Sequence, residues 1–418
     1  MQAIPEKARS TSKPRLAPEL GHHKIVIIGG GTGGITVAAR LARAGEADIA
    51  IIEPSEKHYY QPLWTLVGAG ITTPEESERA EADYIPEGVR WIKEFAEEID
   101  PEAKSVTMRS GGRVGFDYLI VAPGMQLDWD KIAGLREALK TDSVSSNYEY
   151  HLAPKTWRMI ENFRGGTALF THPAGPIKCA GAPQKIMYLA ADYFRKAGLT
   201  DKTRVVFGSA GKAIFGVPEF RKVLEEVVAR YHIDPRFEHN LVEVRGDRKE
   251  AIFERLDGSG ERVTIPYEIL HAVPPQSAPD FIKKSPIAFQ DGPNKGFAKA
   301  DKYTLQNPDY PNVFAIGDAS SLPTSRTGAA IRKEAPVLVE NLLAVMKGKE
   351  PAARYDGYAS CPLVTSYDSL LLAEFDYEGK PAPSIPFINT QKERYDMYLL
   401  KRYGLPWMYW NLMLRGRA

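Results

Sequence analysis

The sequence predicts an α/β protein with two Rossmann-like dinucleotide-binding domains and a C-terminal segment that meets a membrane. Three observations carry that expectation. An apolar run at 24–28 enters a glycine-rich turn at 29–34, and apolar residues then recur at helical spacing. A second apolar run, 204–207, enters another glycine turn near the middle of the chain. Residues 397–414 are rich in Leu, Met, Tyr and Trp, with Lys401, Arg402, Arg415 and Arg417 among or beside them.

The chain has 418 residues, room for about two to four domains. Its 43% hydrophobic and 26% charged residues are ordinary for a folded protein. Lysine and arginine number 54 against 53 acidic residues, and a balance of +1 speaks against a nucleic-acid partner. No apolar run reaches the roughly 18 residues of a membrane-crossing helix. Two cysteines build neither a secreted disulfide scaffold nor, alone, a structural zinc site, so no metal is expected. Residues 1–21, polar and broken by Pro5, Pro14 and Pro18, read as a disordered leader.

The run 24–28 is of the kind buried in a parallel sheet. Gly29, Gly31 and Gly34 fill the G-x-G-x-x-G positions. The first permits the tight turn, the second lets the backbone approach a pyrophosphate, and the third seats the helix on the strand. With Thr32 at the helix start, free N–H groups and the helix dipole favour an anion there. A second strand at 48–52 ends in Glu53, 19 residues past Gly34, where a carboxylate can accept from both ribose hydroxyls. An acid at that place favours FAD or NAD over a cofactor with a 2′-phosphate. Two later strands decide for one FAD per chain. Residues 118–124 close in Pro123-Gly124, and 312–318 end in Gly317-Asp318, which resembles the flavin-domain signature of flavoproteins with two dinucleotide domains.

The FAD domain is therefore expected to be split, 22–148 with 290–345. The second domain, 149–289, has Ala210 where the close-approach glycine would stand, so its NAD site is expected to be degenerate. Strands are expected there at 241–244, 251–253 and 270–273. The region 346–418 holds the second cysteine and the membrane-interface segment.

A lone cysteine is more often a small buried hydrophobe than a reactive group. Cys179, however, has Lys178 beside it and a helix expected at 184–195, both of which favour a thiolate. Pro362 fixes the backbone next to Cys361. A flavin needs a two-electron partner, and a dithiol is one.

Taken together, the strings resemble sulfide:quinone oxidoreductase, in the branch that includes the animal mitochondrial enzymes and their bacterial relatives. The resemblance spans about 24–416 and rests on 29–34, HYYQPLWTLVGAG at 58–70, PIKCAGAPQKIMY at 176–188, Gly317-Asp318, YDGYASCPLVT at 355–365, 373–377 and 410–416. It implies an FAD/NAD(P)-binding, disulfide-oxidoreductase-like fold with Cys179 and Cys361 as catalytic residues, bridged at rest directly or through an extra sulfur. Hydrogen sulfide would attack Cys361, leaving a persulfide there and a thiolate on Cys179. A small acceptor (a thiol, sulfite or another sulfide) would take the sulfane sulfur, and FAD would pass electrons to ubiquinone or menaquinone.

The resemblance also places Gln61 near the flavin, the Ala96 backbone at the adenine half, and the helix start at Thr327 and Gly328 against the reduced flavin. Lys392 would lie near flavin or quinone, with a solvated surface lysine as the open alternative. Ala319 stands where some members carry a third cysteine, so a three-cysteine relay is not expected. Aromatic and basic residues beside an apolar face suit a helix or hairpin lying in the bilayer interface. Peripheral or monotopic membrane association follows, a bacterial inner membrane being favoured over the mitochondrial one. The rivals are a type II NADH:quinone dehydrogenase, a flavocytochrome-type sulfide dehydrogenase, and a non-catalytic flavin-bearing interaction protein.

Overall fold

The computed structural model of the chain describes residues 19–418. Most of the expected leader, 1–18, lies outside the described residues. Its last three residues belong instead to the first strand, Glu19–Ile28. Polar residues lengthen that strand because Glu19, His22 and His23 pair with Arg113, Gly115 and Phe116 beyond the buried half.

Ile25 to Ile28 are buried between two parallel neighbours, Ile49–Ile52 and Arg113–Val121. Burial on both faces explains why the run is continuously apolar and does not alternate. The sheet order is Arg90–Ile92, Ile49–Ile52, Glu19–Ile28, Arg113–Val121, Ser105–Met108, Ala96–Asp100. The last two strands form an antiparallel meander on the first half of Arg113–Val121. The second half is left free for Val313–Ala315, which returns after the second domain and pairs with it in parallel. That return brings helix Gly328–Met346 against helix Thr32–Arg43, so the 29–34 turn and the Gly317-Asp318 turn lie at the same edge of the sheet.

The second domain holds a parallel sheet in the order Val144–Ser145, Ile269–His271, Gly166–His172, Thr203–Ser209, Asp234–Arg236, so its edge strand lies ahead of the expected boundary at 149. The strands expected at 241–244 and 251–253 do not join it. They lie in His239–Arg245 and Glu250–Arg255, which form a separate antiparallel sheet with Arg262–Pro266. The reason is the connection: residues 246–249 are far too few for a parallel crossover, which needs about a dozen. After Ser209 the chain runs on as a loop until helix Pro218–Arg230, so no helix starts directly at the second glycine turn. A Cβ at Gly208 would overlap the Phe253 ring, so that ring occupies the space over the turn.

The hairpin Ala359–Val364 with Leu370–Phe375 then carries the chain back to helix Ala182–Lys196. The C-terminal segment is helical: Tyr395–Leu399, a π-turn at Leu400–Gly404, and Leu405–Asn411. Among the described residues, no helix is long and apolar enough to cross a membrane.

Candidate active site

Cys179 lies in the loop before helix Ala182–Lys196, in the left-handed region at φ 50°. Its N–H donates to the Arg326 carbonyl at 2.7 Å, which ties this unfavourable conformation to the segment preceding helix Gly328–Met346. Cys361 arrives on strand Ala359–Val364, opposite Ala373 of its partner strand. Although 182 residues apart in sequence, the two Sγ atoms stand 3.7 Å apart as free thiols. Gly181 makes the approach possible, because a Cβ there would overlap Cys361 Sγ and stand 2.6 Å from Leu363 Cδ2.

The two thiols are electrostatically unequal. The Cys361 hydrogen bond, aided by the charges of Lys185 and Lys401, holds Cys179 well below the ordinary thiol range despite its burial. The same shared proton, together with burial, pushes Cys361 well up. Negative charge therefore rests on Cys179, and Cys361 S–H donates to it. Lys185 Nζ donates to Cys179 Sγ at 3.2 Å. Burial would depress Lys185, but the interaction with the sulfurs, chiefly the Cys179 thiolate, outweighs it and raises its pKa. Lys401 Nζ donates to the Pro62 carbonyl at 2.9 Å. Its burial, with Lys185 nearby, lowers its pKa to about 7.

The dinucleotide turn has the form a cofactor needs. Gly29 is at φ 99°, and a Cβ there would overlap the Ala122 carbonyl; a Cβ at Gly34 would overlap the Gly29 carbonyl. Around Gly31 a Cβ would meet nothing within 4 Å, and helix Thr32–Arg43 has no side-chain cap at its start. An open cradle with free N–H groups at a helix N-terminus fits a pyrophosphate. Glu53 accepts from Gly30 N at 2.8 Å and from Ser55 N at 2.7 Å, and burial pushes its carboxyl up.

The expected flavin-side residues gather beside the dithiol. Gly317, at φ 71°, donates its N–H to Glu334 Oε2 at 2.9 Å. Burial pushes the Asp318 carboxyl up, against the opposing charges of Lys178 and Arg326. Arg326 Nε donates to the Asp318 carbonyl at 2.9 Å, so one residue holds both the Gly-Asp turn and Cys179. Thr327 caps helix Gly328–Met346 by accepting from Ala330 N, and Gly328 borders open space. Gln61 Oε1 accepts from Lys178 Nζ at 2.8 Å. Lys178 is thus turned toward Gln61 and Asp318 and away from the sulfurs. Ala96 opens strand Ala96–Asp100, four residues past Ile92, whose carbonyl accepts from Glu53 N.

Lys392 is exposed, next to Glu393, which pairs with Arg230. The lysines whose charges act on the dithiol are Lys185 and Lys401, and neither was singled out for that role from sequence. Lys185 had a visible signal, a lone charge directly before the apolar run 186–191, six positions after Cys179. Lys401 was grouped with the outward-facing basic residues; the structure buries it to 1% exposure because it lies on the inner face of the π-turn. Tyr148, whose hydroxyl donates to the Cys179 carbonyl at 3.4 Å, carried no sequence signal.

The chain is similar to known proteins over most of its length. Residues 23–160 match the family described as pyridine nucleotide-disulphide oxidoreductase. The chain is 47% identical over 396 residues to the mitochondrial sulfide:quinone oxidoreductase of Mus musculus, covering 94% of this chain and 87% of the relative. It is 46% identical over 397 residues to the Dictyostelium discoideum protein of the same name, covering 94% and 86%. The fold superposes on the crystal structure of the sulfide:quinone oxidoreductase from Aquifex aeolicus with a TM-score of 0.77, at 21% identity, covering 95% and 92% of the two chains. The first two relatives are named as mitochondrial proteins, and nothing in the comparisons supports a bacterial membrane over a mitochondrial one.

Proposed function

The chain belongs to the sulfide:quinone oxidoreductase family, and from that premise we propose that it oxidises hydrogen sulfide at the Cys179/Cys361 pair, releases the sulfur to a small acceptor, and sends the electrons to a membrane quinone. The observation that carries the reading is the convergence of two distant sulfurs to 3.7 Å beside the Gly317-Asp318 turn, with a lysine on one of them.

The asymmetry of the pair assigns the roles. When the two cysteines are bridged, HS⁻ attacks one sulfur and expels the other as a thiolate. The thiol of lower pKa leaves faster. Lys185 Nζ already donates to Cys179 Sγ and would stabilise a thiolate there, so Cys179 is the better leaving group and attack falls on Cys361. The S–S bond breaks, its electron pair stays on Cys179, and Cys361 carries the persulfide. Lys185 neutralises the new thiolate without a barrier of rearrangement, since it already donates to that sulfur. A thiolate, sulfite or second sulfide then takes the outer sulfur of the persulfide and leaves Cys361 as a thiolate. Re-forming the bridge from the two thiolates releases two electrons; the chemistry that FAD would supply here is a two-electron acceptor that relays them to the quinone.

Gly29, Gly31, Thr32, Gly34 and Glu53 would hold the adenosine and pyrophosphate. Gln61, Gly317, Asp318, Thr327 and Gly328 would line the flavin half. In the second domain, Phe253 over Gly208 and the missing helix after Ser209 leave no cradle for NADH, which disfavours a type II NADH dehydrogenase.

Membrane association is supported by one exposed stripe. Tyr395, Leu399, Tyr403 and Trp407, spaced four apart, are 60, 38, 62 and 60% exposed. Apolar and aromatic residues left in water along a single helical face suit a bilayer interface.

The test is an anaerobic sulfide titration of the purified protein, followed by its flavin spectrum. Bleaching on sulfide and recovery on decylquinone are expected. A flavin that stays oxidised under sulfide rejects the reading.

A further inference from the structure

A hydrogen-bonded chain that the sulfide chemistry does not use links the cofactor turn to the C-terminal helix. Thr32, the first residue of the phosphate-facing helix, shares a hydrogen bond with the Tyr409 hydroxyl at 2.8 Å through Oγ1. The same hydroxyl meets His58 Nε2 at 2.6 Å, and His58 Nδ1 meets Glu81 Oε2 at 2.9 Å. Tyr409, His58 and Glu81 are all at most 3% exposed. The other Glu81 oxygen is buried without a partner, and a Cβ on Gly30 would overlap it. The chain therefore reaches the glycine turn at two places, Gly30 and Thr32.

The C-terminal segment is also seated on the phosphate-facing helix by backbone. The turn Met413–Arg415 packs against helix Thr32–Arg43. Gly416, at φ 66°, lies so close that a Cβ would stand 2.8 Å from Arg40 N. On helix Leu405–Asn411 the two sides differ: Tyr409 and Trp410 face inward, whereas Trp407 is exposed in the apolar stripe.

We propose that Tyr409 is a positioning residue for FAD: its hydroxyl ties the phosphate-binding turn to the C-terminal helix, so that holding the cofactor and seating that helix on lipid form one linked equilibrium. This rests on the flavoprotein reading above and adds a regulation of that site. If lipid favours the docked helix and the docked helix fixes Thr32, lipid must slow the loss of FAD. By reciprocity, FAD must favour lipid binding by the same factor.

Tyr409→Phe removes only the hydroxyl and keeps the ring, which packs at a tilt against Tyr60 with centroids 4.4 Å apart. The rate of FAD release from the full-length holoprotein is read from the rise in flavin fluorescence, with and without phosphatidylcholine vesicles. Tyr409→Phe, which also takes the partner from His58 Nε2, is expected to release FAD at least about five- to tenfold faster, the factor that the Thr32 bond alone is worth. Vesicles are expected to slow release from the wild type and to leave the variant unchanged. Thr32→Val cuts the same bond from its other end, so the double variant is expected to be no worse than either single one. A Tyr409→Phe protein that releases FAD at the wild-type rate overturns the proposal, as do vesicles that slow both proteins equally or neither. A wild type that purifies without flavin would instead remove the reading beneath it.

Discussion

Cys179 and Cys361 are chemically identical side chains, and their surroundings give them opposite roles. Lys185 is the main fixed charge behind that difference, since its Nζ donates to Cys179 Sγ at 3.2 Å and its charge acts on that sulfur more strongly than that of Lys401. Lys185→Met should therefore raise the Cys179 pKa, by about 1–3 units if an adjacent opposite charge has its usual effect. In the reduced wild type, alkylation by iodoacetamide should stay fast as pH falls below the ordinary thiol range; in the variant it should fail at a higher pH. An unchanged profile would mean that Cys361 alone sets the asymmetry. The linkage runs the same way. A depressed folded pKa at Cys179 contributes stability that is complete above the unfolded thiol value and is lost as pH falls through the folded one. Lys401 has the opposite consequence. Its folded pKa of about 7 lies below the unfolded value, so the unfolded chain binds more protons between the two and stability should rise with pH across that window. Lys401→Met should flatten this slope and raise the urea midpoint at neutral pH; a variant that keeps the slope would show that Lys401 is not its source.

One element, helix Ala182–Lys196, decides whether the sulfurs can meet. Its N-cap Gly181 has φ −82°, so alanine would suffer no backbone strain there, and any cost is packing alone. The new Cβ would overlap Cys361 Sγ and press on the buried Leu363 side chain, forcing strand Ala359–Val364 outward. Gly181→Ala is expected to cost about 1–3 kcal/mol of stability in a urea melt. It should also slow bridge formation, followed by thiol titration during reoxidation; bridging at the wild-type rate would show that the strand yields freely. The helix itself was legible at 184–195, within two residues of its observed start, because its apolar positions recur at helical spacing. The meeting of Cys179 with Cys361 was implied only by the family resemblance, since no local pattern links positions 182 residues apart. Pairing has the same limit: the apolar runs at 241–244 and 251–253 were readable as strands, yet they pair with each other and leave the parallel sheet alone.

At the scale of the whole molecule, the C-terminal segment joins two surroundings, and the sequence revealed its composition without revealing which side chains face which. Lys401 looked like part of a basic rim and instead reaches inward, while Tyr395, Leu399, Tyr403 and Trp407 form the outward stripe. A deletion of 397–418 would remove both faces at once, taking Lys401 from the dithiol and Tyr409 from the cofactor turn, so lost binding would be hard to tell from lost folding. Substituting only the stripe separates them. Tyr403→Ser and Trp407→Ser alter side chains largely in water, so each should change stability by no more than about 0.5 kcal/mol, and Leu399→Ser, at a residue only 38% exposed, by somewhat more. Each removes apolar area that the bilayer would otherwise bury, and a loss of about tenfold in vesicle partitioning per residue is the expected scale. With a net charge of +1, the attraction is mainly apolar, so wild-type binding should barely weaken as salt is raised. Co-sedimentation with vesicles that survives the triple substitution would move the membrane contact off this helix, and binding that collapses in salt would assign it to the basic residues.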